Sequence, residues 1–141
     1  MTRLVRPQPR RGVFEKPFWE FVSRRDLRLQ ACTACGHLRY PPGPACPHCL
    51  SEGCEWRPLS GRGRLIAWTV FHRRYFPQLP VPYVVAAVET EEGPLLIGNL
   101  VDLHGRDPVH GMSLRVVFEE VSGPDGDWLI YQWKPAGELN E

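Results

Sequence analysis

The chain has 141 residues, a formal net charge of +1, and 43% hydrophobic and 23% charged residues, which are proportions typical of a globular protein. No run approaches the eighteen or so apolar residues of a membrane span, and the charged N-terminus has no apolar stretch like that of a secretory signal. We therefore expect a cytoplasmic protein rather than a membrane protein or a secreted disulfide scaffold. The length accommodates a small metal module joined to one compact core.

Charge is distributed unevenly along the chain. Residues 1–74 contain fourteen Lys and Arg against five Asp and Glu, whereas residues 75–141 contain three against eleven. A basic first half favours a phosphate-bearing partner. The alternative is that the two halves interleave in the fold and neutralise each other.

The first 25 residues predict an N-terminal arm and a short helix. Residues 1–12 are rich in Pro and Arg without periodicity, which indicates a mobile arm or a partner-contacting tail. A helical spacing of apolar residues begins after Pro17. Its aromatic residues are Phe18, Trp19 and Phe21. They either pack on the chain's own domain or, because so short a helix is marginally stable alone, form a helix that contacts a partner protein.

Two Cys-x-x-Cys turns, formed by Cys32, Cys35, Cys46 and Cys49, follow within a predicted ribbon over residues 26–58. Each turn presents two sulfurs on one side of a tight loop, so together they predict a tetrahedral thiolate cage suited to Zn²⁺. Disulfides would require a secreted chain, and a redox pair would require a helix that the nearby prolines exclude. Rubredoxin-type iron is the remaining alternative. Four thiolates leave no open position for water, so the predicted site is structural.

Several residues near the cage have predicted supporting roles. Gly36 is expected to adopt the positive φ that turns the first knuckle, and Arg39 is expected to lie near the negatively charged cage. His37 and His48 sit beside better-placed thiols and are predicted to be solvated. The fifth cysteine, Cys54, is predicted to pack as a small buried side chain.

Alternating apolar residues after Gly61 and Gly63, followed by four further apolar runs, predict five antiparallel strands. They cover approximately residues 64–72, 83–90, 95–101, 114–121 and 128–133. Five strands without a long helix indicate a small closed barrel, most often an OB-fold, and closure is expected to hide the strand edges. The predicted fold is mainly β: an N-terminal arm and helix over 1–25, a rubredoxin-like zinc ribbon over 26–58, an OB-fold barrel over 59–135 and a tail over 136–141.

The knuckle spacing, the Gly61-x-Gly63 strand start and the Pro82-Tyr83 strand start together resemble the zinc-ribbon plus OB-fold proteins long catalogued as a domain of unknown function. The resemblance extends over residues 14–133. It implies an accessory subunit of acyl-CoA enzymes: thiolase-superfamily thiolases, steroid side-chain aldolases or MaoC-type hydratases, with the chemistry in the partner. Dimeric thiolase-like partners would imply two copies of each chain. Leu50 departs from the pattern, since many relatives have Gly there.

The resemblance also implies contact with coenzyme A in some members. Because coenzyme A carries a 3′-phosphate and a pyrophosphate, a contacting face should place Arg or Lys beside an aromatic ring. The candidate cluster is His72, Arg73, Arg74, Tyr75 and Phe76, with Arg62 and Arg64 as further candidates. The alternatives are a solvated loop whose two rings pack over the barrel end, or a surface that contacts the partner enzyme.

The sequence bears on two other function classes, independent catalysis and nucleic-acid binding. No serine or cysteine is placed to form a nucleophile–base pair with His104 or His110, so independent catalysis is not expected. A single-stranded nucleic-acid module is the alternative function, because OB-folds serve that purpose and Trp68, Phe71 and Tyr75 could stack on bases. The near-neutral net charge counts against it.

Overall fold

The computed structural model describes residues 4–7, 9, 11–123 and 126–137. In chain order the elements are β1 (Leu4–Val5), α1 (Glu15–Val22), β2 (Arg28–Cys32), β3 (Leu38–Arg39), β4 (Cys54–Pro58), β5 (Arg62–Phe71), β6 (Tyr83–Thr90), β7 (Leu95–Leu100), β8 (Ser113–Gly123) and β9 (Gly126–Pro135). The strands form a three-stranded sheet and a six-stranded sheet. The mainly β fold with a short N-terminal helix is confirmed. Within the described ranges, no helix has the length and apolar character needed to cross a membrane.

The smaller sheet is the ribbon, with antiparallel order β3-β2-β4. Strand β2 is central, and its residues Leu29 and Ala31 are fully buried. Strand β4 was not predicted; it places Cys54 directly opposite Cys32. Gly53 precedes it at a close approach, since a side chain there would meet the hydroxyl of Thr33.

The larger sheet closes into a five-stranded barrel. Strands β5, β6, β7 and β9 follow one another, and β8 pairs with both β9 and β5. This is the order of an OB-like barrel, as predicted. The closing pair between β5 and β8 covers only Arg62–Arg64 on β5.

Closure does not hide every strand edge, so that expectation was wrong. A β-bulge lies between Leu65 and Ala67 on β5, and beyond it β5 pairs with β6 but with no other described strand. The edge of β8 that pairs with β5 near the start of β8 pairs with β1 near its end. The second half of β5 therefore has an unpaired edge.

An aromatic and aliphatic core joins helix, ribbon and barrel. Phe18 of α1, Leu29 of the ribbon, and Leu65, Leu96 and Trp133 of the barrel belong to one buried cluster. Helix α1 contacts both β2 and β9. One core that spans both sheets fixes the position of the ribbon on the barrel.

The predicted roles of the helix aromatics need one correction. Phe18 is 1% exposed and packs against Tyr40 and Tyr131 with ring centroids 5.6 and 5.9 Å away, so it cannot contact a partner. Trp19 and Phe21 are half-buried, and contact of these two with a partner remains a prediction.

The N-terminal arm is partly ordered by the barrel. Strand β1 pairs in parallel with β8, and the Arg6 backbone N–H donates to the Ser122 carbonyl at 3.2 Å. A wholly mobile arm is therefore wrong for residues 4–6. Residues 1–3, 8 and 10 of the predicted arm, and 138–141 of the predicted tail, lie outside the described residues.

Candidate functional site

The four knuckle cysteines converge into one cluster whose sulfurs all lie within 4.8 Å of one another. The Sγ atoms of Cys32 and Cys49 are 3.5 Å apart, and those of Cys35 and Cys46 are 3.7 Å apart. A tetrahedron with metal–sulfur bonds of about 2.3 Å has sulfur–sulfur edges of about 3.8 Å. The donor set therefore fits a single tetrahedral metal ion and leaves no coordination position open.

The two knuckles use the same backbone turn. Gly36 N–H donates to the Cys32 carbonyl and Leu50 N–H donates to the Cys46 carbonyl, both at 2.8 Å. Each donor residue has positive φ, +81° for Gly36 and +68° for Leu50. The prediction for Gly36 is confirmed. Leu50 adopts the same conformation, although its β-carbon makes that conformation costly.

Backbone N–H groups also point at the sulfurs. Ala34 N–H donates to the Sγ of Cys32 at 3.4 Å, and His48 N–H donates to the Sγ of Cys46 at 3.3 Å. Such donors stabilise thiolates and are typical of metal knuckles. The cluster thus has sulfur ligands and hydrogen-bond support in the geometry that a thiolate-bound metal requires.

The thiol pKa values indicate that the cluster needs a cation. The backbone N–H of Cys35 lowers the pKa of Cys32 to about 6. Although the His37 backbone N–H favours the Cys35 thiolate, desolvation beside the other sulfurs and the three neighbouring thiols together raise the pKa of Cys35 to about 12. Closely spaced sulfurs cannot all ionise without a compensating charge. A bound divalent metal supplies that charge and displaces the remaining protons.

Residues around the cage take positions that only partly match prediction. Arg39 is buried, but its hydrogen bonds go to the Gln30 side chain at 3.0 Å and the Gly43 carbonyl at 3.2 Å. Cys54 is half-buried, and its Sγ accepts a hydrogen bond from Gln30 at 3.6 Å. His37 and His48 are exposed, as predicted, with ring centroids 5.3 Å apart.

The loop after β5 forms the second candidate site. Its residues His72, Arg73, Arg74, Tyr75 and Phe76 are all exposed. The guanidinium of Arg73 lies 5.1 Å from the Tyr75 ring centroid, and the two rings are 58% and 45% exposed. The alternative in which both rings pack away over the barrel end is therefore wrong. Trp68 and Val70 on β5 are also exposed, so we define the apolar loop surface as Trp68, Val70, Tyr75 and Phe76.

The other basic candidates lie elsewhere. Arg62 and Arg64 occupy the opposite end of β5, and a strand rises about 3.3 Å per residue, which places Arg64 about 23 Å from Phe71. The Nε of Arg64 pairs with the Oε1 of Glu89 at 2.7 Å. That ion pair joins the basic and acidic halves of the chain, as the interleaving alternative expected. The seven candidate residues do not form one cluster.

A cavity of about 590 Å³ lies beside the start of β6. Arg6 lines it, with the guanidinium donating to the Asn99 side chain at 2.8 Å. Burial lowers the pKa of Arg6, opposed by the charge of Glu119, and burial raises the pKa of Glu119. Arg6 is the only Lys or Arg among the described residues that line the cavity, and its guanidinium already has an amide partner and a nearby carboxyl, so none of these residues offers a free cation to a phosphate group.

A four-cysteine ribbon that shares a core with an OB-like barrel defines the class: a zinc-ribbon and OB-fold protein. Residues 19–55 match the rubredoxin-like zinc ribbon domain of ChsH2, and residues 56–119 match the C-terminal OB-fold domain of ChsH2. The chain is 33% identical to a DUF35 domain-containing scaffold protein of Pyrococcus furiosus, over 84% of this chain and 90% of that protein. It belongs to the DUF35 family of ChsH2-like proteins, which confirms the resemblance seen in the sequence.

Two further relatives extend the comparison. The chain matches a chain of the solved Ltp2-ChsH2(DUF35) aldolase with a TM-score of 0.84 and 33% identity, over 92% of this chain and 100% of that one. It is 36% identical, over 84% of its length, to the 3-oxo-4,17-pregnadiene-20-carboxyl-CoA hydratase alpha subunit of Mycobacterium tuberculosis. The chain spans about a third of the length of the hydratase alpha subunits that it matches.

Proposed function

We propose that this chain is a non-catalytic accessory subunit that binds and supports a thiolase-superfamily enzyme, a thiolase or a steroid side-chain aldolase, acting on acyl-CoA substrates. The observation that carries the proposal is the likeness, over the whole length of that chain, to a chain of the Ltp2-ChsH2(DUF35) aldolase. The scaffold names of the archaeal relatives support it further. The complex would contain two copies of each subunit, in the cytoplasm.

The metal in this proposal is structural Zn²⁺. Sulfur spacings of 3.5 and 3.7 Å suit either zinc or iron, and the ribbon matches a zinc ribbon domain. A zinc-bound cage would hold the two knuckles together and so fix the ribbon that packs on the barrel. A colourless purified protein with one equivalent of zinc by elemental analysis supports this assignment. A red protein with bound iron contradicts it.

The apolar loop surface, with its flanking Arg73 and Arg74, is the proposed contact region. Exposed Trp, Tyr and Phe beside Arg are favoured at the centres of protein interfaces. The same arrangement of guanidinium and ring also suits the adenine and phosphates of coenzyme A held by the partner. Either role would place the apolar loop surface at the interface with the partner enzyme.

A hydratase is the second candidate partner, supported by the identity to two hydratase alpha subunits. MaoC-type hydratases and thiolase-like enzymes both take acyl-CoA substrates, so the two candidates agree on substrate class. The partner's identity decides between them.

Co-expression with a thiolase-like or aldolase subunit from the genome that encodes this chain tests the proposal. We expect one complex on size-exclusion chromatography with light scattering, with a mass equal to two copies of each subunit. Two proteins that elute separately at micromolar concentration would contradict the proposal. A nucleic-acid module would instead bind single-stranded oligonucleotides, with affinity that falls steeply as salt rises.

A further inference from the structure

The second half of β5 has one backbone edge that pairs with no other strand among the described residues. Beyond the bulge, residues 67–71 pair with β6 on one side only, and no backbone hydrogen bond from a described loop covers the other side. Residues 67–70 are all exposed. Trp68 and Val70 are 38% and 39% exposed although they share a sheet face with the buried Ala86 and with Val84 of the core.

The pairing pattern shows which backbone groups this edge presents. In an antiparallel pair, every second residue of a strand directs its backbone groups toward the same neighbouring strand. Because the Glu91 N–H donates to the Arg62 carbonyl, every second residue of β6 counted back from Glu91 faces β5. After the bulge their partners are Ala67, Thr69 and Phe71. Trp68 and Val70 therefore direct their N–H and C=O groups outward. Each residue can donate one hydrogen bond through its N–H to an added strand and accept one from it through its C=O.

Apart from the β-bulge between Leu65 and Ala67, the edge carries no charged side chain and no proline that would discourage strand pairing. Natural proteins protect exposed edges with Lys, Pro or inward-pointing charges. Residues 66–71 are Ile, Ala, Trp, Thr, Val and Phe, without a charge or a proline. An uncharged edge of high β-propensity promotes aggregation if it stays uncovered. Its composition therefore suits a permanent cover.

Charge favours a different protein over a second copy of this chain as that cover. A second copy of this edge has no Asp or Glu within residues 66–76, so it offers no acidic partner to the basic loop of the first copy. The edge ends at three consecutive basic residues, His72, Arg73 and Arg74. A complementary strand would carry Asp or Glu at that end and apolar residues along its length.

We propose that the partner enzyme adds an extended, acid-terminated strand to the edge of β5 at residues 66–71, with main-chain hydrogen bonds to Trp68 and Val70. Strand addition of this kind derives affinity from the backbone and specificity from alternate side chains. The exposed Trp68 and Val70 side chains would pack against the added strand, and the basic loop would pair with its acidic end. This inference rests on the proposed function, because the strand comes from the partner.

Hydrogen exchange with residue-level mass spectrometry tests the inference on the wild-type chain, free and in the co-expressed complex. We expect the Trp68 and Val70 amides to exchange at least tenfold more slowly in the complex. A Val70→Pro variant, which lacks the outward N–H, should bind at least tenfold more weakly. A Val70→Thr variant keeps that N–H and should bind within threefold of wild type.

The possible results separate the two proposals. A complex in which the Trp68 and Val70 amides exchange as fast as in the free chain overturns strand addition and leaves the accessory role intact. Absence of any complex overturns both. A free chain that is already dimeric, with these two amides protected, shows that a second copy covers the edge and also overturns the inference. If Val70→Pro fails to fold, the exchange data on the wild-type complex decide.

Discussion

The hydroxyl groups of Tyr40, in the ribbon, and Tyr131, in the barrel, lie 3.3 Å apart. Tyr131 donates its proton to the Ile97 carbonyl at 2.7 Å, so Tyr40 must donate to Tyr131. The Phe18 ring packs against both tyrosines. One hydrogen-bonded pair thus connects the four-cysteine ribbon to β9 and β7 at the point where the helix also meets them.

Replacing Tyr131 with Phe should weaken this connection. The Ile97 carbonyl loses its donor and the Tyr40 hydroxyl loses its acceptor, so we expect the free energy of unfolding to fall by about 1–2 kcal/mol. Chemical denaturation at pH 7 measures the change. An unchanged midpoint would show that the pair contributes nothing to stability.

The same residue predicts how stability depends on pH. Burial, followed by the nearby Tyr40, raises the pKa of Tyr131 well above its ordinary value. The unfolded chain therefore ionises this tyrosine first, near pH 10. Its contribution is complete below about pH 10 and is lost as pH rises toward the folded-state pKa. The decrease in unfolding free energy from pH 9 to 11 should be smaller in Tyr131→Phe than in wild type.

Phe18→Ala should destabilise the protein rather than only weaken partner binding. Phe18 is 1% exposed within the shared core, and removing a buried phenylalanine side chain costs about 3–5 kcal/mol. The matched control is Phe14→Ala, because Phe14 is 40% exposed and should change stability by about 0.5 kcal/mol or less. A stable Phe18→Ala variant with impaired partner binding would contradict the assignment of Phe18 to the core.

Leu50→Gly should stabilise the second knuckle. Leu50 has φ of +68° and is 77% exposed, so glycine relieves backbone strain without loss of packing. Strain relief exceeds the entropy cost of glycine, and we expect a gain of roughly 0.5–1 kcal/mol. The reciprocal Gly36→Ala change in the first knuckle should lower stability by a similar amount, because alanine is strained at the positive φ of this position. Nothing lies near the added β-carbon, so no steric clash adds to that cost. Thermal unfolding of the metal-bound forms measures both.

Cys49→Ser should remove the metal and loosen the ribbon, while Cys54→Ser should retain it. Cys49 is exposed, so the substitution removes a ligand without opening a core cavity, whereas Cys54 lies outside the four-sulfur cluster. Elemental analysis after dialysis against a chelator distinguishes the variants. Full metal content in Cys49→Ser, or loss of metal in Cys54→Ser, would show that the ligand set is wrong.

Much of the fold follows from local patterns in the sequence. The apolar run that begins at Tyr83 predicted β6 at its observed bounds of Tyr83–Thr90, and the cysteine spacing predicted the four-sulfur cluster. Strand β4 was missed, although Cys54 and Trp56 alternate with charged residues, because five residues that end at a proline are also compatible with a loop. Its strand conformation depends on pairing with β2.

The open edge of β5 could not be predicted, for a different reason. The sequence of residues 66–71 has the same apolar character whether a neighbour covers that edge or leaves it free. Exposure depends on how far β8 follows β5, and that pairing ends at Arg64. The exposure of Tyr75 and Phe76 likewise depends on the path of the loop after β5. Long-range pairing, rather than local propensity, determines this surface.

The central claim is that the chemistry belongs to a partner that this chain supports, and a reconstitution assay tests it most directly. A thiolase-like or aldolase subunit from the genome that encodes this chain is purified alone, this chain is purified alone, and turnover of an acyl-CoA substrate is measured for each and for the mixture. We predict turnover by the mixture, little turnover by the enzyme subunit alone, and none by this chain. Full activity of the enzyme subunit alone, or turnover by this chain alone, would contradict the account.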